Sequence, residues 1–383
     1  MKTEYIKFQN FIDSTQYGYT ADETSFENGD CKYLRITDIV PYFVEKETVP
    51  FCKIPEEKKA QYMITDGDLL IARTGATTGY NLIVDDSFKN FIFASYLIRF
   101  NYDKKKLFPL YVKYVLKSKL WYGFVNNYIS GSAQPGMNAR VFGKFNFPYV
   151  PLSTQQKIAS ILSAYDNLIQ NYKKQIEALQ TAASELYKEW FVRFRFPGWQ
   201  NAKIENGIPE GWKVVLASEL GEFVRGKNIT AEEMQEGMIP VISAGIEPSG
   251  FHNQSNVKGV SLTISNSGAN AGYLQINYSD IWAADCSYCN SAKHIYFYYE
   301  LLNNMRVVLF NLQKGAAQPH VYAKDINKMK ILLPSTELIE IANKKIKLMH
   351  EKIYSLQQQI TNLTQQRDLL LPRLMSGKLE VLK

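Results

Sequence analysis

"STQQKIASILSAYDNLIQNYKKQIEALQTAASELYKEWFVRFR", residues 153–195, runs without a proline or a glycine. Ile158, Ile161, Tyr165, Leu168, Tyr172, Gln175, Leu179, Ala182 and Leu186 fall in it at alternating spacings of three and four. That is the period of a heptad seam on one helix. Ser153 with Gln156 has the form of a capping box, Pro151 stands just outside, and Phe196-Pro197-Gly198 ends the pattern. A helix of about 40 residues is roughly 60 Å long at 1.5 Å per residue. A second stretch repeats the pattern with Ile339, Ala342, Ile346, Met349, Ile353, Leu356, Ile360, Leu363, Arg367, Leu370 and Leu374, between Ser335 and Gly377 as caps. Seams of that length must be covered. The nearest complement of each is the other, which predicts an intramolecular coiled coil. The other arrangement has each helix packing on its own domain or on a partner protein.

The helices are not the only repeated feature. GSAQP at 131–135 returns as GAAQP at 315–319, and Ala139-Arg140 returns in register as Ala323-Lys324. RTGATTGY at 73–80 returns as NSGANAGY at 266–273. Each pair leads into a proline-bearing segment, FNFPYVP or MKILLP, and then into a long helix. Half the chain is therefore a diverged copy of the other half. The order is a domain at 1–150, a central long helix at 151–199, a second domain at 200–333 and a distal long helix at 334–383. Both domains are rich in Tyr, Phe, Asn and Gly. They carry β-like runs such as GDLLIARTG, NFIFASYLIRF and VSLTISNSG, and helical stretches at FPLYVKYVLKSKLWYGFV and ELLNNMRVVLFNLQ. The fold class is α/β (α+β), in two tandem copies separated by the coiled coil; if its helices lie antiparallel, one chain imitates a twofold dimer.

Composition bounds the function. The 383 residues are 46% hydrophobic and 21% charged, with a net charge of +7. This suits a chain of two or three domains and permits nucleic-acid binding without demanding it. No apolar run is long enough to span a bilayer, and the N-terminal MKTEYIKFQNF lacks a secretory apolar core. A cytoplasmic protein is expected. Cys286 and Cys289 form a CxxC with His294 nearby, but no second CxxC completes a zinc set. With IWAAD and AKHIYFYY read as flanking strands, they are core cysteines. None of the 14 prolines precedes another, so the Asn/Asp-Pro-Pro-Tyr loop of an amino-methyltransferase is missing, as is a GxGxxG. GEFVRGKN at 221–228 has phosphate-loop spacing, but Asn228 stands where Ser or Thr would hold magnesium. Lys227 and Asn228 read instead as polar contacts on an exposed turn. The chain has the look of a reader or scaffold.

Taken together, PLSTQQKIASILSAYDNLI…ELYKEWF at 151–191, LPSTELIEIANKKI at 333–346, QQRDLLLPRLMSGKLEV at 365–381 and the paired loops resemble the specificity subunit of type I restriction-modification systems. The likeness covers essentially the whole chain. It departs from the family's commoner His-Val continuation at Gly136-Met137, which is kept at His320-Val321. The resemblance implies two target recognition domains, each reading half of a bipartite site in double-stranded DNA. It also implies that the helices form an antiparallel intramolecular coiled coil that spaces the domains and docks two modification (methyltransferase) subunits, with restriction (ATP-dependent translocase/nuclease) subunits able to join. The chain itself would be non-catalytic and bind no cofactor; S-adenosylmethionine, ATP and Mg2+ would belong to its partners. The rival reading is a coiled-coil structural adaptor with two protein-binding domains.

The candidate DNA-contacting residues follow from the repeated strings. In the first copy they are Arg73, Thr74, Gly75, Thr77, Tyr80, Gln134, Asn138 and Arg140. In the second they are Lys227, Asn228, Asn266, Ser267, Asn270, Tyr273, Gln318, His320 and Lys324. Arginine can fork onto a guanine or a phosphate, the glutamines can donate and accept at an adenine edge, and the glycines allow close backbone approach. Read structurally, GxAQP is a turn that sets up the following strand, and the glycine strings are hairpin turns.

Overall fold

The computed structural model describes residues 3–25, 28–129, 136–315, 318–376 and 379. The chain divides into two compact units, residues 1–170 with 360–383 and residues 171–359. In the first unit an antiparallel sheet runs in the order Ile12–Tyr17, Leu97–Tyr102, Leu69–Ala72, Asn81–Ile83. A second sheet, Glu23–Thr24, Phe51–Cys52, Cys31–Leu34, Phe91–Phe93, ends in a parallel pair. Helices Pro109–Leu116 and Lys119–Ile129 pack on the first sheet through Tyr111, Val115, Trp121 and Val125, all essentially buried. The strand Glu4–Lys7 pairs with Asn146–Tyr149, which leads straight into the first long helix.

The second unit repeats this plan. Val224–Arg225, Cys286–Cys289, Ser261–Ser265 and Leu274–Asn277 form the antiparallel sheet in the same order. Ile239–Ile242 pairs parallel with Trp282–Ala283, as Cys31–Leu34 does with Phe91–Phe93. Lys213–Leu216 pairs with Lys330–Leu333, as Glu4–Lys7 does with Asn146–Tyr149. Even single bonds recur: Phe8 N–H donates to Phe145 O at 2.8 Å, and Ala217 N–H donates to Met329 O at 2.8 Å.

One expected strand is a helix. AKHIYFYY does not continue the sheet; Ile295–Asn304 is helical, with Tyr296, Phe297, Tyr298, Leu301 and Leu302 buried. The aromatic run has high β-propensity, but burial against the sheet outweighs that preference. Cys286 and Cys289 lie in the core on their strand, and burial pushes the Cys286 thiol up to about 12.

The long helices span Leu152–Tyr187 and Thr336–Met375. The first stops short of Arg195, because a π-helical turn, Lys188–Val192, follows it and Phe194 adopts a left-handed φ of 56°. Its buried line is also displaced by one residue from the expected seam. In the first unit Ile158, Leu162, Asp166 and Ile169 are buried, whereas Leu168 is 42% exposed. In the second unit Ala183 and Tyr187 are buried and Ala182 is exposed. The reason is that the line includes Gln155 and Asp166, polar residues that a count of apolar spacings skips. The second helix keeps its expected face, with Ile339, Ala342, Ile346, Ile353, Leu356, Arg367 and Leu374 buried. Ser335 Oγ lies 3.5 Å from Leu338 N at its start, while Gly377 lies outside the described residues.

Each unit fixes its helices with a buried polar cluster. In the first, Asp166 accepts from Lys113 Nζ at 2.7 Å, Arg367 Nη1 at 2.8 Å and the Tyr114 hydroxyl at 2.9 Å. In the second, His350 Nε2 faces Glu300 Oε1 at 3.1 Å and its Nδ1 faces the Tyr278 hydroxyl at 2.8 Å. A carboxylate only accepts, so Nε2 carries the proton.

Lys117 lies beside the first cluster, its ammonium 5.8 Å from the centre of the Tyr42 ring. Burial, with help from the charge of Lys113, pushes it down to about 8. Between that value and the ordinary lysine range the unfolded chain binds more protons, so this group's contribution to stability rises with pH through that window. Lys117→Met is accordingly expected to stabilise the first unit by about 1–3 kcal/mol at pH 7. In denaturant titrations of both proteins the gain should shrink from pH 8 to pH 10.5. A gain that does not change with pH counts against the desolvated charge.

Candidate nucleic-acid interface

The glycine string of each half meets in space the residues that follow the distant GxAQP string. In the first unit Thr74 and Gly136 form an antiparallel bridge, and Met137 N–H donates to Arg73 O at 2.8 Å. In the second, Ser267 bridges His320 in the same sense, and Val321 N–H donates to Asn266 O at 2.9 Å. The glycine string leaves its strand through a short 3-10 turn in both copies, Gly75–Thr77 and Gly268–Asn270. Gly75 and Gly79 have φ of 70° and 87°, and Gly268 and Gly272 have 75° and 86°. Only glycine takes such angles without strain. This is why the two strings keep both glycines while four of their other residues differ.

Of the GxAQP string in the second copy, Ala316 and Ala317 lie outside the described residues. Lys314 and His320 exchange backbone hydrogen bonds at 2.8 and 2.9 Å, and Gln318 is exposed. Gly315 has a φ of 96°, and a Cβ there would come within 2.8 Å of Gln318 O. Gln134 lies outside the described residues.

Several candidate side chains already serve the fold. Asn138 accepts from Val141 N–H at 3.0 Å and caps the short helix Ala139–Phe142. Thr77 donates to Thr74 O at 3.2 Å within its own turn. Asn266, 7% exposed, accepts from Ser287 Oγ at 2.7 Å, and Ser267 donates to Asp285. Tyr80 packs on Tyr122, with ring centres 5.7 Å apart. Asn270 is half-buried beside the exposed Tyr273. Others remain outward. Arg140 and Lys324 are exposed at matching places in the helices Ala139–Phe142 and Ala323–Asn327. His320 stacks on Tyr322 at 6.1 Å, and Lys324 lies 5.6 Å from the same ring.

Lys227 and Asn228 sit away from the phosphate-loop geometry that their spacing suggested. Val224–Arg225 inside that string is an edge strand, and Gly226 is pressed against the carbonyls of Ala283 and Ala284. Both residues are exposed beside Trp282, whose Nε1 donates to Lys227 O at 2.8 Å. Among the described residues no group of three or more His, Cys, Asp or Glu side chains is arranged to hold a metal ion, and no helix is long and apolar enough to cross a membrane.

Two residues lining one cavity of the second unit escaped the sequence reading. Arg225 and Asp285 line it together with Asn266, Ser287, His320 and Tyr322. Neither belongs to a repeated string, so no comparison of the halves could have marked them.

A family described as the type I restriction modification DNA specificity domain matches the chain twice, over residues 11–181 and 209–370. The specificity subunit of the type I restriction enzyme MjaIX from Methanocaldococcus jannaschii is 28% identical over 71% of this chain and 69% of its own length. That of the HindI enzyme from Haemophilus influenzae is 20% identical over 86% and 91%. Among solved structures, a type I restriction-modification S subunit from M. genitalium superposes with a TM-score of 0.62 at 18% identity, over 98% of this chain and 96% of that one.

Proposed function

This chain belongs to the type I restriction modification DNA specificity domain family, and on that premise we propose that it reads a bipartite site in double-stranded DNA as the non-catalytic subunit of a type I restriction-modification complex. One observation carries the reading. Two copies of one domain each set a glycine turn beside a second loop through the same backbone bridge, with an outward cation, Arg140 or Lys324, on the helix that follows. Two reading heads match a site with two parts, as operator halves match the two copies in a dimeric repressor.

In this reading the domains at 1–150 and 200–333 are the target recognition domains. The long helices pair antiparallel as an intramolecular coiled coil and carry two methyltransferase subunits. Support comes from inside each unit. Leu371, Leu374 and Met375 share a core with Ile158, Ala159 and Leu162, and Ile339, Ala342 and Ile346 share one with Ala183 and Tyr187. S-adenosylmethionine, ATP and Mg2+ act on the partner subunits. Arg140 and Lys324 serve as phosphate contacts, and Arg73, Gln134, Gln318 and His320 approach base edges.

Sequencing methylated adenines in a host that holds this chain and its methyltransferase should reveal two short specified elements separated by unspecified bases. With centres about one DNA turn apart, roughly 34–36 Å, both heads face one side of the duplex. A single uninterrupted motif, or methylation without sequence preference, overturns the reading.

A further inference from the structure

We propose that the bases read by each unit are chosen at one structurally equivalent place: by Tyr17, Arg73 and Tyr96 in the first unit, and by Arg225 and Asp285 in the second, where the buried Asn266 stands in the position of Arg73. This rests on the DNA-reading function proposed above and assigns its specificity to named side chains.

Backbone register establishes the equivalence. Tyr17 pairs with Ile98, which pairs on its other side with Ile71; Arg225 pairs with Ser287, which pairs on its other side with Ile264. The next residue is glycine in both, Gly18 and Gly226. A Cβ would meet the Ala94 carbonyl oxygen at 2.2 Å in one case and the Ala284 carbonyl oxygen at 2.4 Å in the other. Arg73 N–H donates to Tyr96 O at 3.1 Å, as Asn266 N–H does to Asp285 O at 3.3 Å. The three positions in each unit therefore sit on the same backbone frame, next to the bridge between the two loops.

On that common frame the chemistry differs. In the first unit the arginine comes from the loop strand. Its guanidinium carbon lies 5.0 Å from the centre of the Tyr17 ring, and its Nε donates to Ser95 O at 3.3 Å. Tyr17 and Tyr96 are 45% and 54% exposed. In the second unit the arginine has moved to the neighbouring strand. Arg225 is mostly exposed, and its Nη2 stops 3.9 Å from Asp285 Oδ1, beyond hydrogen-bond range. Asp285 already takes the Ser267 hydroxyl, which holds its carboxylate in place. An arginine fork matches guanine O6 and N7, and a carboxylate accepts from the cytosine amino group. The second unit thus presents a donor fork and an acceptor side by side, suited to a G·C pair. The first presents a fork over one aromatic wall, Tyr17, suited to guanine beside an apolar neighbour such as a thymine methyl.

Methylation mapping of single variants in the complete complex tests this. Arg225→Ala and Arg225→Lys are both expected to lower discrimination at one G·C pair by about tenfold or more, in one half of the motif only. Lysine keeps the charge but not the fork, so equal relaxation in both variants identifies base reading. Arg73→Lys should relax one position in the other half and leave the first half alone. If the Arg225 variants leave both halves unchanged, or lower methylation evenly at every site with the motif intact, the assignment is overturned although the DNA-reading function stands. If the wild-type chain itself directs no two-part motif, it is that function which fails.

Discussion

Asp166→Ala is expected to cost the first unit about 3–5 kcal/mol, the range for breaking a buried ion pair from one side. The carboxylate is 4% exposed and accepts from two cations and two phenols, Tyr42 being the fourth at 3.3 Å. Without it, Arg367, whose side chain is 7% exposed, and Lys113 at 20% keep their charges away from water. Arg367 also lies 4.0 Å from the Tyr42 ring centre, so it cannot leave without undoing that stack. Burial, together with the Asp166 carboxylate, holds the Tyr42 and Tyr114 phenols protonated well above the ordinary phenol range, and they do not relieve the imbalance. Denaturant unfolding of the full chain measures the loss. Asp166→Leu combined with Arg367→Met should recover part of it, because removing both charges leaves less buried and unpaired. A loss below about 1 kcal/mol would place the cluster among ordinary surface pairs.

The second large effect concerns a loop rather than a helix. Trp121 is fully buried against Phe142, Phe145 and Phe124, and its Nε1 donates to Gly79 O at 2.8 Å. Gly79 lies in the glycine string, with a φ of 87° and only 2.7 Å between a hypothetical Cβ and Val125 Cγ2. One side chain therefore fills the core and ties down the loop. Trp121→Ala is expected to cost about 3–5 kcal/mol through the cavity. Trp121→Phe keeps most of the packing but removes one of two donors from the Gly79 carbonyl, which keeps Asn81 Nδ2 at 3.0 Å, at about 0.5–1.5 kcal/mol. If the first unit reads one half-site, the phenylalanine variant should blur that half in a methylation map while the protein stays folded. A variant that is destabilised yet reads both halves normally would separate the loop's anchoring from recognition. In the second copy Gln313 Nε2, bonded to Ala271 O at 2.8 Å, makes the comparable tie.

Much of this architecture is legible in the residue order. The duplicated strings announce two copies of one domain, and glycines that need positive φ keep their places as neighbours change. The long helices follow from a three-and-four spacing free of proline and glycine through the first of them. What periodicity misjudged has a common cause. The buried line of the first helix holds Gln155 and Asp166, whose partners Lys106, Lys113 and Arg367 come from other elements. The first half of the helix at Ile295–Asn304, up to Tyr299, is written in residues that favour strands, and its place on the sheet makes it helical, whereas the second half is legible as helix in the sequence.

Recognition chemistry divides in the same way. By sequence alone the chain declared its two loops per domain, because local turns impose local residue requirements. The meeting of those loops, and the equivalence of Tyr17 with Arg225 and of Tyr96 with Asp285, was decided by tertiary structure. Strand pairing joins residues dozens of positions apart and constrains their backbones, while leaving outward side chains free to differ between the copies.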